Sequence, residues 1–285
     1  MTRALALAVS GRGLVDPREP VLRADDDALA RGRAVFETLR VYRGRPFRLH
    51  EHLERLERSA QAVGIPPPDV EQLLELAFQA LDAAGEQDVA LRLYWTPGPP
   101  PENGGAPVAL ALVSRIPDWI EEARERGQRL VSLQTPRRSA PWLLPGTKST
   151  SYAVHMAAEQ EAKRRGADDA LLVDERGIML EGPVTNVWWR VGRMLYTPSL
   201  DLGILAGVTR AALKQLGPDV GYAVTEGAYD LDALVDAEEM FTSSSVREIM
   251  PVVEVDGRRI GRGVPGGAAR ELQRALRRLA GAVHY

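Results

Sequence analysis

The 285 residues contain no cysteine, which excludes disulfides, thiolate metal sites, iron–sulfur clusters and a cysteine nucleophile. Histidine is scarce as well: His50, His52, His155 and His284 are the whole set. His50 and His52 stand two apart where a helix begins and so do not share a helical face, and no metal site is expected. No apolar run approaches the roughly 18 residues of a membrane-spanning helix. The short apolar stretch in MTRALALAVSGRG is followed at once by Arg12, Asp16, Arg18 and Glu19, and reads as an edge strand rather than a leader. A net charge of -3 gives no electrostatic reason to bind nucleic acid or anionic membrane, and the expected location is the cytoplasm. Lysine is the last shortage. Lys148, Lys163 and Lys214 are the only three in a chain whose basic residues are otherwise arginine. Such a chain keeps lysine where arginine cannot serve, and covalent carbonyl chemistry, which needs a primary amine that can lose its proton, is such a place.

What is present reads as mixed α and β. Residues 34–42 (AVFETLRVY) alternate as a strand, Gly44-Arg45-Pro46 turns, and Pro46 to Leu49 suggest a second strand. Helical spacing follows from His50 to Gly64, and again over 69–84 with Val70, Leu73, Leu74, Ala77 and Leu81 on one face. Strands are expected at 89–95 and 106–114, flanking a Pro/Gly-rich loop. The strand pattern stops near Ile116-Pro117-Asp118, which sets an expected boundary between domains 1–117 and 118–285. The second half is expected to open with short strands and a proline-punctuated loop at 136–147. A helix from about Tyr152 to Arg165 and strands at 169–173 and 184–190 come next. A helix from Val208, strands near 239–243 and 251–255 and a helix over 266–280 complete the expectation.

Lys148 lies in Leu-Pro-Gly-Thr-Lys-Ser-Thr-Ser-Tyr, a loop of small hydroxyl residues before a helix. Alone it would read as a solvated loop lysine. Lys163 sits beside Arg164 and Arg165 at a helix end, where cations complement the dipole. Three other segments change the reading of Lys148. Glu181 sits in Leu-Glu-Gly-Pro-Val-Thr-Asn-Val, between an apolar strand and a turn. Gly203-Ile-Leu-Ala-Gly-Val-Thr-Arg210 opens a helix, where backbone N–H groups and a threonine hydroxyl suit a phosphate. Thr242-Ser243-Ser244-Ser245 puts a hydroxyl cluster at a strand end.

With His50-Glu-His-Leu-Glu-Arg-Leu56 and Pro251-Val252 these blocks stand in one order, and over about residues 20–275 the chain resembles the class IV, or fold type IV, pyridoxal-phosphate (PLP) aminotransferases. The resemblance implies an α+β fold of two domains with the cofactor between them, and a PLP-dependent transaminase of the D-amino-acid or branched-chain type. It implies that Lys148 carries PLP as a Schiff base and moves the proton. It further implies that Glu181 partners the pyridine nitrogen, that Tyr152 lines the pocket, and that Arg55, Val208, Thr209 and Ser245 hold the phosphate. The strand Phe36–Arg40 matches the family strand that faces substrate, and period two puts Phe36, Thr38 and Arg40 on one face. Arg31, Arg33 and Arg40 are the expected guanidinium partners of a substrate carboxylate, Arg40 first, with backbone near Ser245 and Val246 as the other way to hold it.

One departure bears on substrate. The D-amino-acid members carry Thr-Arg-Gly where this chain has Thr96-Pro97-Gly98. The aminodeoxychorismate lyases share the cofactor residues and often place a threonine at Thr38, so release of pyruvate and p-aminobenzoate stands as the alternative reaction. The expected partners are an amino donor, a 2-oxo acid and a second copy of the chain in a homodimer. Trp95, Trp119 and Trp142, all in or beside loops and joints, are expected to be partly exposed in a lone chain.

Overall fold

The computed structural model describes residues 3–135 and 144–281, so Trp142, His284 and most of the proline-punctuated stretch lie outside the described residues. The chain divides into two compact units, Met1–Pro117 with Thr147–Tyr152, and Asp118–Gly146 with Ala153–Tyr285. A single cut at residue 117 would therefore put the segment that holds Lys148 in the wrong unit. Its backbone explains why. Phe36 N–H donates to Lys148 O at 3.2 Å and Thr150 N–H to Ala34 O at 2.8 Å, so the segment docks as a short extended piece beside a strand of the first unit.

The first unit contains β1 (Ala4–Val9), β2 (Gly13–Val15), α1 (Asp27–Arg31), β3 (Val35–Tyr42), β4 (Arg45–Pro46), α2 (Leu49–Val63), α3 (Val70–Ala84), β5 (Val89–Thr96) and β6 (Val108–Arg115). The strands form one antiparallel sheet in the order β2-β1-β6-β5-β3-β4. Alternation makes the sheet two-faced. Val35, Leu39 and Val41 of β3 share a core with Leu91 and Leu93 of β5, Leu53, Leu56 and Ala60 of α2, and Leu73 and Ala77 of α3. Phe36 and Thr38 stand on the other face, half-buried. The strand expected over Pro46–Leu49 ends at Pro46, because Arg48 takes a left-handed backbone (φ 51°) and the helix starts at Leu49. Trp95 is buried, with its indole N–H donating to Pro66 O at 2.8 Å, so its expected exposure is corrected. The connection between α2 and α3 supplies that partner.

The second unit contains α4 (Trp119–Arg126), β7 (Gln128–Gln134), α5 (Ala153–Arg164), β8 (Asp169–Val173), β9 (Asn186–Val191), β10 (Met194–Pro198), α6 (Val208–Asp219), β11 (Ala223–Gly227), β12 (Glu239–Ser244), β13 (Glu248–Val255), β14 (Arg258–Arg259) and α7 (Gly267–Leu279). Its mixed sheet runs β11-β10-β9-β12-β13-β7-β8, with β14 on β13. Trp188, Trp189 and Phe241 are fully buried in this unit, and Trp188 stacks on Phe241 at 6.1 Å. The unit opens with helix α4 rather than a strand. Only Ile120 and Ala123 of α4 are buried, too short an apolar stripe to show as a periodicity. Trp119 is 44% exposed under the Arg247 guanidinium, which sits 5.2 Å from its ring centre.

Gly98 shows how tightly the Thr96-Pro97-Gly98 turn is made. It has φ +75°, and a Cβ added there would stand 1.9 Å from the Ala106 carbonyl oxygen. Thr96 hydroxyl donates to the buried Asp26 carboxylate at 2.8 Å and accepts from Gly98 N–H at 3.1 Å. Gly98→Ala must therefore both strain the backbone and displace another strand-flanking segment. It should destabilise the protein by about 1–3 kcal/mol, read as a melting temperature lowered by several degrees. An unchanged melting temperature would show that the turn opens freely.

Candidate active site

Lys148 is placed by its backbone before its side chain. Besides the strand-like bonds to β3, Lys148 N–H donates to Ser59 Oγ of α2 at 3.2 Å, and Thr150 hydroxyl to Gly32 O at 2.9 Å. The ammonium nitrogen then stands 4.3 Å from the centre of the Phe36 ring and 5.6 Å from that of Tyr152. The two rings meet edge to face at 5.3 Å, and Phe36 stacks on Tyr94, its cross-strand partner, at 5.8 Å. Lysine, aromatic wall and the Thr38 position thus share one face of one sheet.

The opposite face of β3 carries a buried charge cluster. Glu37 accepts from Arg55 Nε and Nη2 at 2.7 Å each, and His52 Nδ1 lies 2.7 Å from the same carboxylate. Burial alone would raise the Glu37 pKa, but the charge and hydrogen bonds of Arg55, with His52, override it and hold the acid at about 2. Burial pushes the His52 imidazole below its usual value, and the charges of Arg55 and Lys148 add to this against the pull of Glu37. An ionised Glu37 can only accept, which assigns the Nδ1–H tautomer to a neutral His52. His50, two residues earlier, is exposed and faces Glu54 at 3.2 Å. Spacing along α2 separates the two histidines; it could not show that one would be buried on a carboxylate.

In the second unit Glu181 is fixed by its neighbours. Its Oε2 accepts from Leu205 N–H at 3.0 Å and from Asn186 Nδ2 at 3.4 Å, while Asn186 also donates to Leu205 O at 2.9 Å. The stretch that opens α6 is thereby tied to the acid. Gly207 caps α6 with no side-chain bond, which leaves the first-turn N–H groups of Val208 and Thr209 for another acceptor. A Cβ on Gly207 would meet Asn186 Oδ1 at 2.0 Å, so the close approach requires glycine. Ser245 and Val246 lie in a three-residue turn between β12 and β13, both half-buried. Glu248, which follows, takes the left-handed backbone (φ 55°) usually given to glycine in such hairpins. Its buried carboxylate is gripped by Arg277 Nη2 at 2.7 Å and Arg124 Nη2 at 3.1 Å, and Arg124 also donates to Arg247 O at 2.8 Å and Ile249 O at 3.0 Å. Glu37, Asn186, Arg124 and Glu248 were given no role by the sequence reading, although Asn186 closes the segment that holds Glu181.

A family model described as amino-transferase class IV matches residues 34–255. The chain belongs to that family. It is 34% identical over 264 residues to a bifunctional aminodeoxychorismate lyase / D-amino acid transaminase of Mycobacterium tuberculosis, covering 87% of this chain and 91% of that one. A PLP-bound hypothetical aminotransferase from the same organism has a TM-score of 0.87 at 32% identity, over 97% of this chain and 98% of that one. A branched-chain aminotransferase from the thermophilic archaeon Thermoproteus uzoniensis, solved with norvaline, has a TM-score of 0.86 at 27% identity, over 98% of this chain and 96% of that one.

All three arginines expected on the substrate carboxylate of this class IV aminotransferase have carboxylate partners of their own. Arg40 is buried, bonded to Asp88 through Nε at 3.3 Å and Nη2 at 3.1 Å, and packed over Tyr42 at 5.1 Å. Period two put it on the right strand face, but the Asp88 carboxylate captures it. Arg33 donates to Val63 O at 3.2 Å and to Gly64 O, closing the carbonyl end of α2, and pairs with Asp27 at 3.3 Å. Arg31 is 76% exposed at the end of α1, 3.5 Å from Asp27. Arg92 is the residue the sequence reading overlooked. It sits opposite Thr38 in the β3–β5 register, and its Nε is buried with no hydrogen-bond partner among the described residues.

The His52–Glu37 pair makes a signed pH prediction. A folded pKa below 6.5 means that the unfolded chain takes up a proton on His52 that the folded chain refuses, so stability falls as pH drops below about 6.5. The slope from one such group is at most about 1.4 kcal/mol per pH unit. Glu37, at about 2 in the fold against 4.5 unfolded, contributes stability above 4.5 that is lost as pH falls toward 2. Melting temperatures between pH 8 and pH 2 should show both losses in the parent, and His52→Asn should flatten the first while leaving the second. Parallel curves for parent and variant would place the titrating group elsewhere.

Proposed function

We propose that this class IV aminotransferase moves an amino group between an amino acid and a 2-oxo acid, with pyridoxal 5'-phosphate carried on Lys148. The observation that carries this reading is the Lys148 amine over Phe36 and Tyr152, on the sheet face that also holds Thr38 and Arg92. PLP supplies a carbonyl that takes the amino group and a ring that accepts the electron pair freed when the Cα–H bond breaks. The residues present fit the cofactor. Lys148 provides the only amine of the first unit's catalytic face, and its Nζ takes the Cα proton and returns it. Glu181, an acid already aligned by Leu205 N–H and Asn186, holds a proton on the pyridine nitrogen. The uncapped start of α6 offers Val208 and Thr209 N–H groups to a phosphate, joined by the hydroxyls of Thr209 and Ser245. Glu37 fixes the Arg55 guanidinium plane through Nε and Nη2, and the phosphate role of that arginine rests on the family resemblance.

For the substrate carboxylate we assign Arg92 in place of Arg40, with the Val246 backbone as a second contact; Phe36 and Thr38 complete the wall. Thr38, beside Arg92, also supports a second reading, lyase action on aminodeoxychorismate. A homodimer in the cytoplasm is the assembly we propose, and the exposed Trp119 supports a partner surface. No helix among the described residues is long and apolar enough to cross a membrane.

Lys148→Ala should lose the visible band of the lysine-bound cofactor and several orders of magnitude in turnover with amino acid and 2-oxoglutarate. Glu181→Gln should keep the band but lose most of the rate, since removing a charged hydrogen bond costs about 1.5–3 kcal/mol. Normal turnover in Lys148→Ala would refute the reading, and a lyase would release pyruvate from aminodeoxychorismate faster than it transaminates.

A second pair of variants separates the arginines. Arg92→Leu should raise KM for amino-acid substrates at least tenfold, about 1.4 kcal/mol, with PLP retained. Arg40→Leu should lower the melting temperature and leave KM nearly unchanged. The reverse pattern would return the carboxylate to Arg40.

A further inference from the structure

The second unit holds a pocket of about 580 Å³ lined by β9, the β9–β10 turn, the connection from α6 to β11, the start of β12 and α7, and by none of Glu181, Thr209 and Ser245. Arg190, Arg193, Arg274 and Arg278 line it together with Glu239 and Glu271. Both carboxylates are already used. Glu239 accepts from the Ala268 and Ala269 N–H groups that start α7, at 2.9 and 3.3 Å, and pairs with Arg190 at 3.1 Å. Glu271 accepts from the Tyr222 hydroxyl at 2.9 Å. Arg190 is further held by Glu238 at 2.8 Å. Among the described residues Arg193 has only the Gly221 carbonyl at 3.3 Å and the Tyr222 ring at 5.9 Å. Arg274 and Arg278 have no acid and no hydrogen-bond acceptor among the described residues.

With Glu238 on Arg190 counted, four guanidiniums against three carboxylates leave a surplus of one positive charge in a concave site, within a chain whose net charge is -3. Arg274 and Arg278 are four apart on α7, so their stems rise side by side, about 5–6 Å apart at Cβ. Like charges at that spacing repel until an anion lies between them. The arrangement suits a molecule with two anionic groups at the same spacing, each able to take a guanidinium bidentately. A volume of this size is that of a metabolite site rather than an ion site.

We propose that this pocket is a second ligand site, separate from the cofactor residues, for a small multivalent anion whose two charged groups lie about one helical turn apart, diphosphate being the simplest. Arg274 and Arg278 grip the two groups and Arg193 closes on them from the β9–β10 turn.

The test is calorimetric titration of the PLP-loaded protein with sodium pyrophosphate at fixed ionic strength, so that the catalytic phosphate site is already filled. One saturable site per chain is expected, weakened at least tenfold in Arg274→Gln/Arg278→Gln and again in Arg193→Gln. Cofactor loading and basal turnover should stay at parental values, because none of these side chains belongs to the set that meets PLP or substrate. Succinate as a second titrant identifies the anion class: binding of either, lost in the variants, supports the site. No saturable binding of either below about 10 mM, or unchanged binding in the variants, overturns it. Failure of the parent to load PLP would instead refute the transamination reading and leave this site standing.

Discussion

The docking of Thr147–Tyr152 against β3 is the constraint from which the proposed catalytic face follows. Two backbone hydrogen bonds to Ala34 and Phe36, and one from Lys148 N–H to Ser59, decide where the Lys148 side chain begins. Backbone pairing is an economical way to hold a reactive amine. A flexible loop would have to lose entropy each time the lysine took up its position, whereas a segment paired to a strand has lost it on folding. The aromatic contacts with Phe36 and Tyr152 then limit where the ammonium can point.

The same strand works on both sides. Phe36 and Thr38 meet the face that carries Lys148, while Glu37 between them turns into the core and binds His52 and Arg55. A buried carboxylate is stable there only because it is paired and hydrogen-bonded; removing Arg55 would leave an uncompensated charge, and removing His52 would take away a hydrogen bond. The Glu37 cluster therefore links the fold of the first unit to the orientation of Arg55. In the second unit Glu181–Asn186–Leu205 and Glu248–Arg124–Arg277 do comparable work, each using a polar side chain to set the backbone of a segment proposed to meet the cofactor. Glu248 shows the balance of terms. Its left-handed backbone is unfavourable by about 1–3 kcal/mol, and two charge-assisted contacts on one carboxylate offset it.

The sequence by itself determined the family, the α+β class, and the residue types that chemistry demands. Lys148 stood out because arginine had displaced lysine elsewhere, and Glu181 and Gly207-Val208-Thr209 because acid, glycine and hydroxyl recur around it in a set order. Long periodic elements such as α2 and α3 were legible because their buried faces repeat several times, while α4, with two buried apolar residues, was not. Tertiary structure alone decided which polar groups find each other. Period two placed Arg40 on the same strand face as Thr38, yet only the fold brought Asp88 to it, and only the β3–β5 register set Arg92 opposite Thr38. Nor could spacing assign the Lys148 segment to the first unit, since its backbone partners Ala34 and Phe36 lie far earlier in the chain. Local pattern records which face a residue takes. Pairing between distant segments depends on backbone hydrogen bonds and charges that meet only once the chain has folded.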